Sequence, residues 1–250
     1  MNAPSEKAEP AFIGVVCGLK SEADVVRQCA GRARPSDQPA TAMRVGVSGA
    51  SAQRAEEIAR DFCRDGARTI LSVGVSGGLN PALAPGDLLI ADAVVTADGA
   101  RYDCDKDIVK AIFRSLDAVS APNPPTGAAA APIILFGADE IVASAAEKAA
   151  LFQRFNAAAV DMESHGAARA AASAGAAFAA VRAVADPASR ALPSAALNAV
   201  APDGSTRVMR TLLECAKAPG QFPALLKLGQ DSGSALKTLR SVIGSIMDAL

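Results

Sequence analysis

The stretch GVSGGLNPALAPGDLLIAD, residues Gly74–Asp92, is the part of the chain from which the fold is read. It follows an apolar, β-branched run, Thr69 to Val75, that reads as a buried strand. Gly74-Val75-Ser76-Gly77-Gly78 has the GxSxG spacing of a nucleophile elbow, in which a strained turn exposes a serine. Such an elbow runs directly into a helix. Here Leu79-Asn80-Pro81 follows, then Pro85-Gly86-Asp87, and these residues make an extended loop leading to another strand, Asp87 to Val95. The only base for Ser76 would be His165, the single histidine, which lies at the start of a predicted helix. A dinucleotide fingerprint fails as well, since GxGxxG is absent and no helix follows. The plain reading is a glycine turn between two strands, serving positive φ or close backbone packing.

Working outward, Ala11 to Cys17 predicts a first strand, and Ser21, as N-cap, opens a helix reaching about Cys29. Gly31 to Pro39 reads as a loop and Met43 to Ser48 as a strand. Ser51 to Arg64 has helical spacing, with Ala55, Ile58, Ala59 and Phe62 on one face. Beyond the glycine stretch, Asp105 to Leu116 predicts a helix and Ala118 to Ala131, rich in Ala, Pro and Gly, a surface loop. Pro132 to Phe136 predicts a strand and Ala143 to Phe155 a helix. Ala157 to Val160 is a short strand feeding a helix over Glu163 to Ala174, which Gly175 ends; Ala177 to Ala185 is a strand. Residues 191–250 predict two or three helices, separated by Pro202-Asp203-Gly204 and Pro219-Gly220. Strand and helix alternate, so the class is α/β with a mostly parallel or mixed sheet. No linker or internal repeat divides residues 1–250, which read as one domain.

Composition narrows the function. Half of the 250 residues are hydrophobic and a fifth are charged, so the chain can build a full core. The net charge of -1 gives no basic face for nucleic acid. No apolar run is long enough to span a bilayer. Residues 1–10 carry Glu6, Lys7 and Glu9, which predicts a flexible N-terminus and no secretory leader. Five scattered cysteines without a CxxC pair read as reduced thiols of a cytoplasmic protein, and one histidine excludes a His-rich metal site. No metal and no organic cofactor is expected.

The run Gly74 to Asp92 resembles the glycine-rich motif of the nucleoside phosphorylase and nucleosidase superfamily. Three further stretches agree in order and spacing. Ile13 to Val26, IGVVCGLKSEADVV, resembles the opening of methylthioadenosine/adenosylhomocysteine nucleosidases. Ala159 to Glu163 resembles their "VEME" ribose motif. Val181 to Asp186 resembles their "RAISD" motif. The resemblance covers about residues 12 to 190. It implies a three-layer α/β/α domain around a twisted mixed sheet that curls toward a barrel, and a dimer or larger assembly.

The resemblance implies cleavage of an N-glycosidic bond and assigns the parts. Asp186 addresses the purine as acid or hydrogen-bond partner at N7, a task that calls for a raised pKa. On sequence alone it reads equally as the cap of a helix after Pro187. Glu163 takes the ribose hydroxyls, because a carboxylate accepts two hydrogen bonds from a diol; Met162 packs on the sugar. Val75, Ser76, Gly77, Val160 and Asp161 complete the substrate-binding set. Glu22 stands where nucleosidases carry the acid that activates water. Phosphorylases place a phosphate-gripping Arg there, a second at Ser72 and a phosphate Ser at Val75. An acid, a serine and a valine suit a dianion poorly, so water is favoured. Phosphate stays open as co-substrate, with Lys20 and Arg44 as charge donors. The chain departs from the nucleosidases at Ala185, where they have Ser, and at Glu140 or Ile141, where an aromatic stacks on adenine.

The last third resembles hopanoid-associated phosphorylases, through GLKSEADVV, AVDMESHGAARAA, RAVADPASRALP and a tail containing Leu225, Leu226, Leu228, Leu236, Leu239, Val242, Ile243 and Ile246. That resemblance implies release of adenine from adenosylhopane, an apolar groove for the lipid tail, and contact with the inner face of the membrane. An ordinary methylthioadenosine or purine nucleosidase is the alternative. On residues alone these leucines equally cover a core or a dimer face.

Overall fold

The computed structural model describes residues 12–30, 42–117, 132–196, 200–206 and 219–250. Its axis is β3 (Thr69–Gly78), a strand buried along most of its length. On one side the first half of β3 pairs in parallel with β1 (Phe12–Cys17), and β1 pairs with β2 (Ala42–Val47). On the other side β9 (Ala177–Asp186) runs parallel to β3 for its whole length, from Thr69↔Ala177 to Gly77↔Asp186. The last residues of β3, Gly77 and Gly78, pair antiparallel with β8 (Ala159–Asp161). Next to β8 stands β7 (Ile134–Gly137), then β5 (Ala93–Val95), then β6 (Arg101–Asp103). β4 (Leu88–Ile90) pairs with β9.

The strand expected over Asp87 to Val95 is therefore two strands. Only Ala91 and Asp92 separate β4 from β5, yet they sit on opposite branches of the sheet. That short junction draws the two branches together, which is the curl toward a barrel. Helices cover both faces. α2 (Ala52–Arg64) packs on α5 (Ser164–Ala174); α1 (Lys20–Ala30), α3 (Lys106–Asp117) and the long α6 (Phe222–Asp248) pack together on the other side. The small side chains of α5, with Ala167, Ala168, Ala170 and Ala171 buried, let it lie close to β3 and β9. The fold is thus a three-layer α/β fold with a mixed sheet between helices.

Three local expectations are corrected. β3 does not end at Val75 in a turn but continues to Gly78, with a bulge between Ser76 and Gly77 where β8 joins. None of its glycines has positive φ, so close packing is the reason for them. Ser21 is not an N-cap, since α1 starts at Lys20 and Leu19 holds the cap position; Glu22, at the third residue of the helix, accepts the Leu19 N–H at 2.8 Å, half of a capping box. Asp186 caps no helix, because a turn follows Pro187. The tail holds a 3-10 turn at Ser194–Ala196, an isolated bridge Val200↔Thr206 and α6, whose 27 residues form one helix. Residues 1–11, 31–41, 118–131, 197–199 and 207–218, with the expected flexible N-terminus, two surface loops, a tail helix and Cys215, lie outside the described residues.

Candidate active site

The C-terminal end of β3 needs glycine because carboxyl groups lie against it. A Cβ on Gly74 would sit 2.9 Å from Glu22 Oε1, and one on Gly18 would sit 2.5 Å from Glu163 Oε1. With no side chain in the way, Glu22 leans from the first turn of α1 onto β3, where its Oε1 accepts the Val75 N–H at 2.8 Å. Both its oxygens thus take a backbone hydrogen. Burial still pushes its pKa up, against the pull of those two N–H groups and of Arg182.

Glu163 follows β8 at the foot of α5. Burial and the neighbouring Asp161 push its carboxyl up to about 8, with Arg182 opposing. Arg182 lies wholly buried on β9, and its Nη2 donates to Ser72 Oγ at 2.7 Å and Ser164 Oγ at 2.8 Å. It pairs with Asp161 at 3.2 Å and stands 3.9 Å from Glu163 Oε2. Asp161 accepts the N–H groups of Glu163 and Ser164 at 2.8 and 2.7 Å, fixing the start of α5. Its carboxylate is engaged within the protein, whereas Glu163 takes only a long 3.3 Å bond from the Met162 N–H.

Asp186 ends β9. The ammonium of Lys148, buried on α4 (Ala145–Phe155), bonds its Oδ2 and donates also to the carbonyls of Pro187 at 3.1 Å and Arg190 at 3.0 Å. Burial raises the Asp186 carboxyl; Lys148 and Arg190 pull the other way.

Glu22, Val75, Ser76, Gly77, Val160, Asp161, Met162, Glu163 and Asp186 all line one cavity of about 280 Å³. Ser76 Oγ is buried there with no partner, free for a ligand. Glu140, Ile141 and Val142 form one wall, with no aromatic ring among the described lining residues. Leu192, Ala196, Val200 and Leu228 form an apolar margin, and Phe222 and Leu226 of α6 are exposed. Among the described residues no Lys or Arg belongs to the lining; Lys20 pairs with Asp203 and Arg44 with Asp65, both at the surface.

The esterase reading fails on geometry. His165 Nε2 lies 3.0 Å from Asp139 Oδ1 and its Nδ1 has no partner, so neither nitrogen reaches Ser76. Sequence reasoning missed Arg182 and Lys148. Arg182 stood inside a quoted motif without a role, and Lys148 gave no signal in an alanine-rich helix. Among the described residues no His, Cys, Asp or Glu cluster fits a metal ion, and no helix is long and apolar enough to cross a membrane.

Solved structures share this architecture. The chain is 18% identical to 5′-methylthioadenosine/S-adenosylhomocysteine nucleosidase from Neisseria meningitidis, solved with methylthio-immucillin-A (TM-score 0.69; 96% of this chain, 99% of that one). It is 17% identical to futalosine hydrolase of Helicobacter pylori (TM-score 0.68; 96% and 99%). It is 18% identical to S-adenosylhomocysteine nucleosidase from Streptococcus pyogenes, solved with 5-methylthiotubericidin (TM-score 0.64; 95% and 98%). At such identities the likeness is one of fold. No curated protein sequence matches the chain. The sequence itself supplies the closer tie, since its residues 13–217, from β1 to beyond the bridge at Thr206, fit the family description "Phosphorylase superfamily", and the chain belongs to that superfamily.

Proposed function

We propose that the chain hydrolyses the N-glycosidic bond of a purine nucleoside, with adenosylhopane as substrate. The observation that carries this is the cavity itself, where Glu22, Glu163 and Asp186 converge from three separate stretches of chain. Cleavage passes through an oxocarbenium-like state, so the ribose must be held, the base relieved of its charge and a nucleophile delivered. Glu163 receives the ribose diol. Asp186 faces the base and gives it a proton or a hydrogen bond. Glu22, held by two backbone N–H groups, takes the proton of an attacking water, and its raised pKa brings it nearer the working pH of a general base.

Water is favoured over phosphate because the lining is rich in carboxyl groups and, among the described residues, holds no cation. A phosphate dianion there would meet the carboxyl groups of Glu22, Asp161 and Asp186, while the nearby cations Arg182 and Lys148 are already paired with Asp161 and Asp186. The apolar margin of Leu192, Ala196, Val200 and Leu228 favours a nucleoside with an apolar 5′ substituent, and Phe222 and Leu226 are exposed at the start of the helix that bears Leu228. It also supports a contact with the inner face of a membrane, while the enzyme itself stays in the cytoplasm as a dimer.

The test is adenine release from adenosylhopane with and without phosphate, with the product mass determined. Release independent of phosphate, yielding ribosylhopane, is expected. Strict phosphate dependence, yielding phosphoribosylhopane, would overturn the role of Glu22. Turnover of methylthioadenosine alone would remove the lipid substrate and leave the bond cleavage.

A further inference from the structure

Lys148 has three ammonium hydrogens and three acceptors, Asp186 Oδ2 and the carbonyls of Pro187 and Arg190. It is 0% exposed, the one buried residue of α4, and emerges from a helix that otherwise shows its polar side to solvent. A buried ammonium costs several kcal/mol unless its pairing is excellent. A methionine of similar volume would fill the same space without that cost, so packing alone gives no reason for a lysine here. Ala185 precedes Asp186 and brings no hydroxyl, which leaves Lys148 as the hydrogen-bond donor to this carboxyl.

We propose that Lys148 is the positioning residue that stores the proton for Asp186, keeping it an anion in the resting site and handing it a proton as the base departs. This rests on the nucleosidase reading above. The balance is simple. One Nζ–H bond of the ammonium breaks, its electron pair stays on nitrogen, and an O–H bond forms on Asp186. That proton then passes to the leaving purine, which takes the electron pair of the broken glycosidic bond. The neutral amine keeps two hydrogens, the number needed for the carbonyls of Pro187 and Arg190, so no buried acceptor is stranded by the transfer. Lys148 and Asp186 sum to zero charge before and after their own exchange; once the purine has taken the proton the pair carries one negative charge, and the cycle closes when the proton that Glu22 took from the attacking water leaves to solvent and the amine takes one up again. Burial, which raises the Asp186 carboxyl, makes it the better proton acceptor.

Other charges face the pair. Arg190 bonds Asp231 of α6, which Lys227 also holds at 2.8 Å, and Glu22, Glu163, Asp161 and Glu140 share the cavity with Asp186. A ratio of rates cancels what these groups contribute to both proteins. The experiment therefore compares wild type with Lys148→Met, and with Lys148→Gln, which retains two N–H donors. kcat is followed from about pH 6 to about pH 9 on adenosylhopane and on 5′-methylthioadenosine. In either variant Asp186 must draw its proton from solvent. The expected ratio of wild-type to variant kcat is small at the acid end. It then grows about tenfold per pH unit above the titration of the lone carboxyl, reaching roughly 100-fold or more, with KM little changed. A ratio constant with pH, however large, would make Lys148 a structural residue and overturn the proposal. Wild type that releases no base from either nucleoside would overturn the nucleosidase reading and this one with it.

Discussion

Glu163 carries a cost that its neighbours do not remove. An ordinary Glu titrates near 4.5, and in the folded site this carboxyl is pushed up to about 8. Between those values the folded chain holds a proton that the unfolded chain has lost. Its contribution to stability is full below 4.5, falls as pH rises through the window, and levels off above about 8. Glu163→Gln escapes that loss. Its thermal midpoint should gain on wild type between about pH 5 and about pH 9, at roughly 2–4 °C for each kcal/mol in a chain of this size. Above about pH 8, where wild-type Glu163 is a carboxylate with two acceptor oxygens, the same variant offers only one, so KM for the nucleoside should rise about tenfold there. Equal midpoint differences at both pH values, read by calorimetry, would place the cost of burial elsewhere. A residue kept against stability is expected where binding is the compensation.

The elements divide the site between a rigid part and a margin. α6 shows both. Its later turns are core, with Leu239, Val242, Ile243 and Ile246 buried, while its first turns leave Phe222 and Leu226 exposed and place Leu228 at the rim of the cavity. Leu228→Asp should raise KM for adenosylhopane about tenfold and leave methylthioadenosine within a factor of about two, since only an apolar tail reaches that turn. Equal effects on both nucleosides would mean that Leu228 shapes the ribose site instead.

The element scale is also where sequence reading succeeds and stops. Apolar runs such as Leu88 to Ala91 and Phe178 to Val181 mark buried strands because no polar residue interrupts them. Glu22, Glu163 and Asp186 were legible because each stands beside a glycine or a strand end that a motif locates. The split of β4 from β5 was not, since both branches demand the same apolar residues and only pairing partners far along the chain tell them apart. Lys148 was hidden for a similar reason. A lysine in a helix is ordinarily solvated, and its burial is decided by Asp186, thirty-eight positions on.

At the scale of the molecule, β9 ties the parts together. It pairs with β3 and β4, carries Arg182 and Asp186, and receives α6 on its outer face. Leu239, fully buried in that helix, anchors the contact. Leu239→Ala should cost about 2–5 kcal/mol in chemical denaturation while kcat, read well below the transition, stays near wild type. A large fall in kcat without loss of stability would show that α6 sets the site's geometry and not merely its endurance. The position of β9 has a consequence for how the chain comes into being. Its residues are made after those of both strands it separates, so a growing chain that stops short of Ala177 has β3 and β4 with bare facing edges. Such edges invite pairing with other chains, and closing them joins segments about a hundred residues apart, a slow kind of event. When β9 inserts it closes those edges and brings Asp186 to the cavity in one stroke, so protection from aggregation and completion of the cavity wall arrive together.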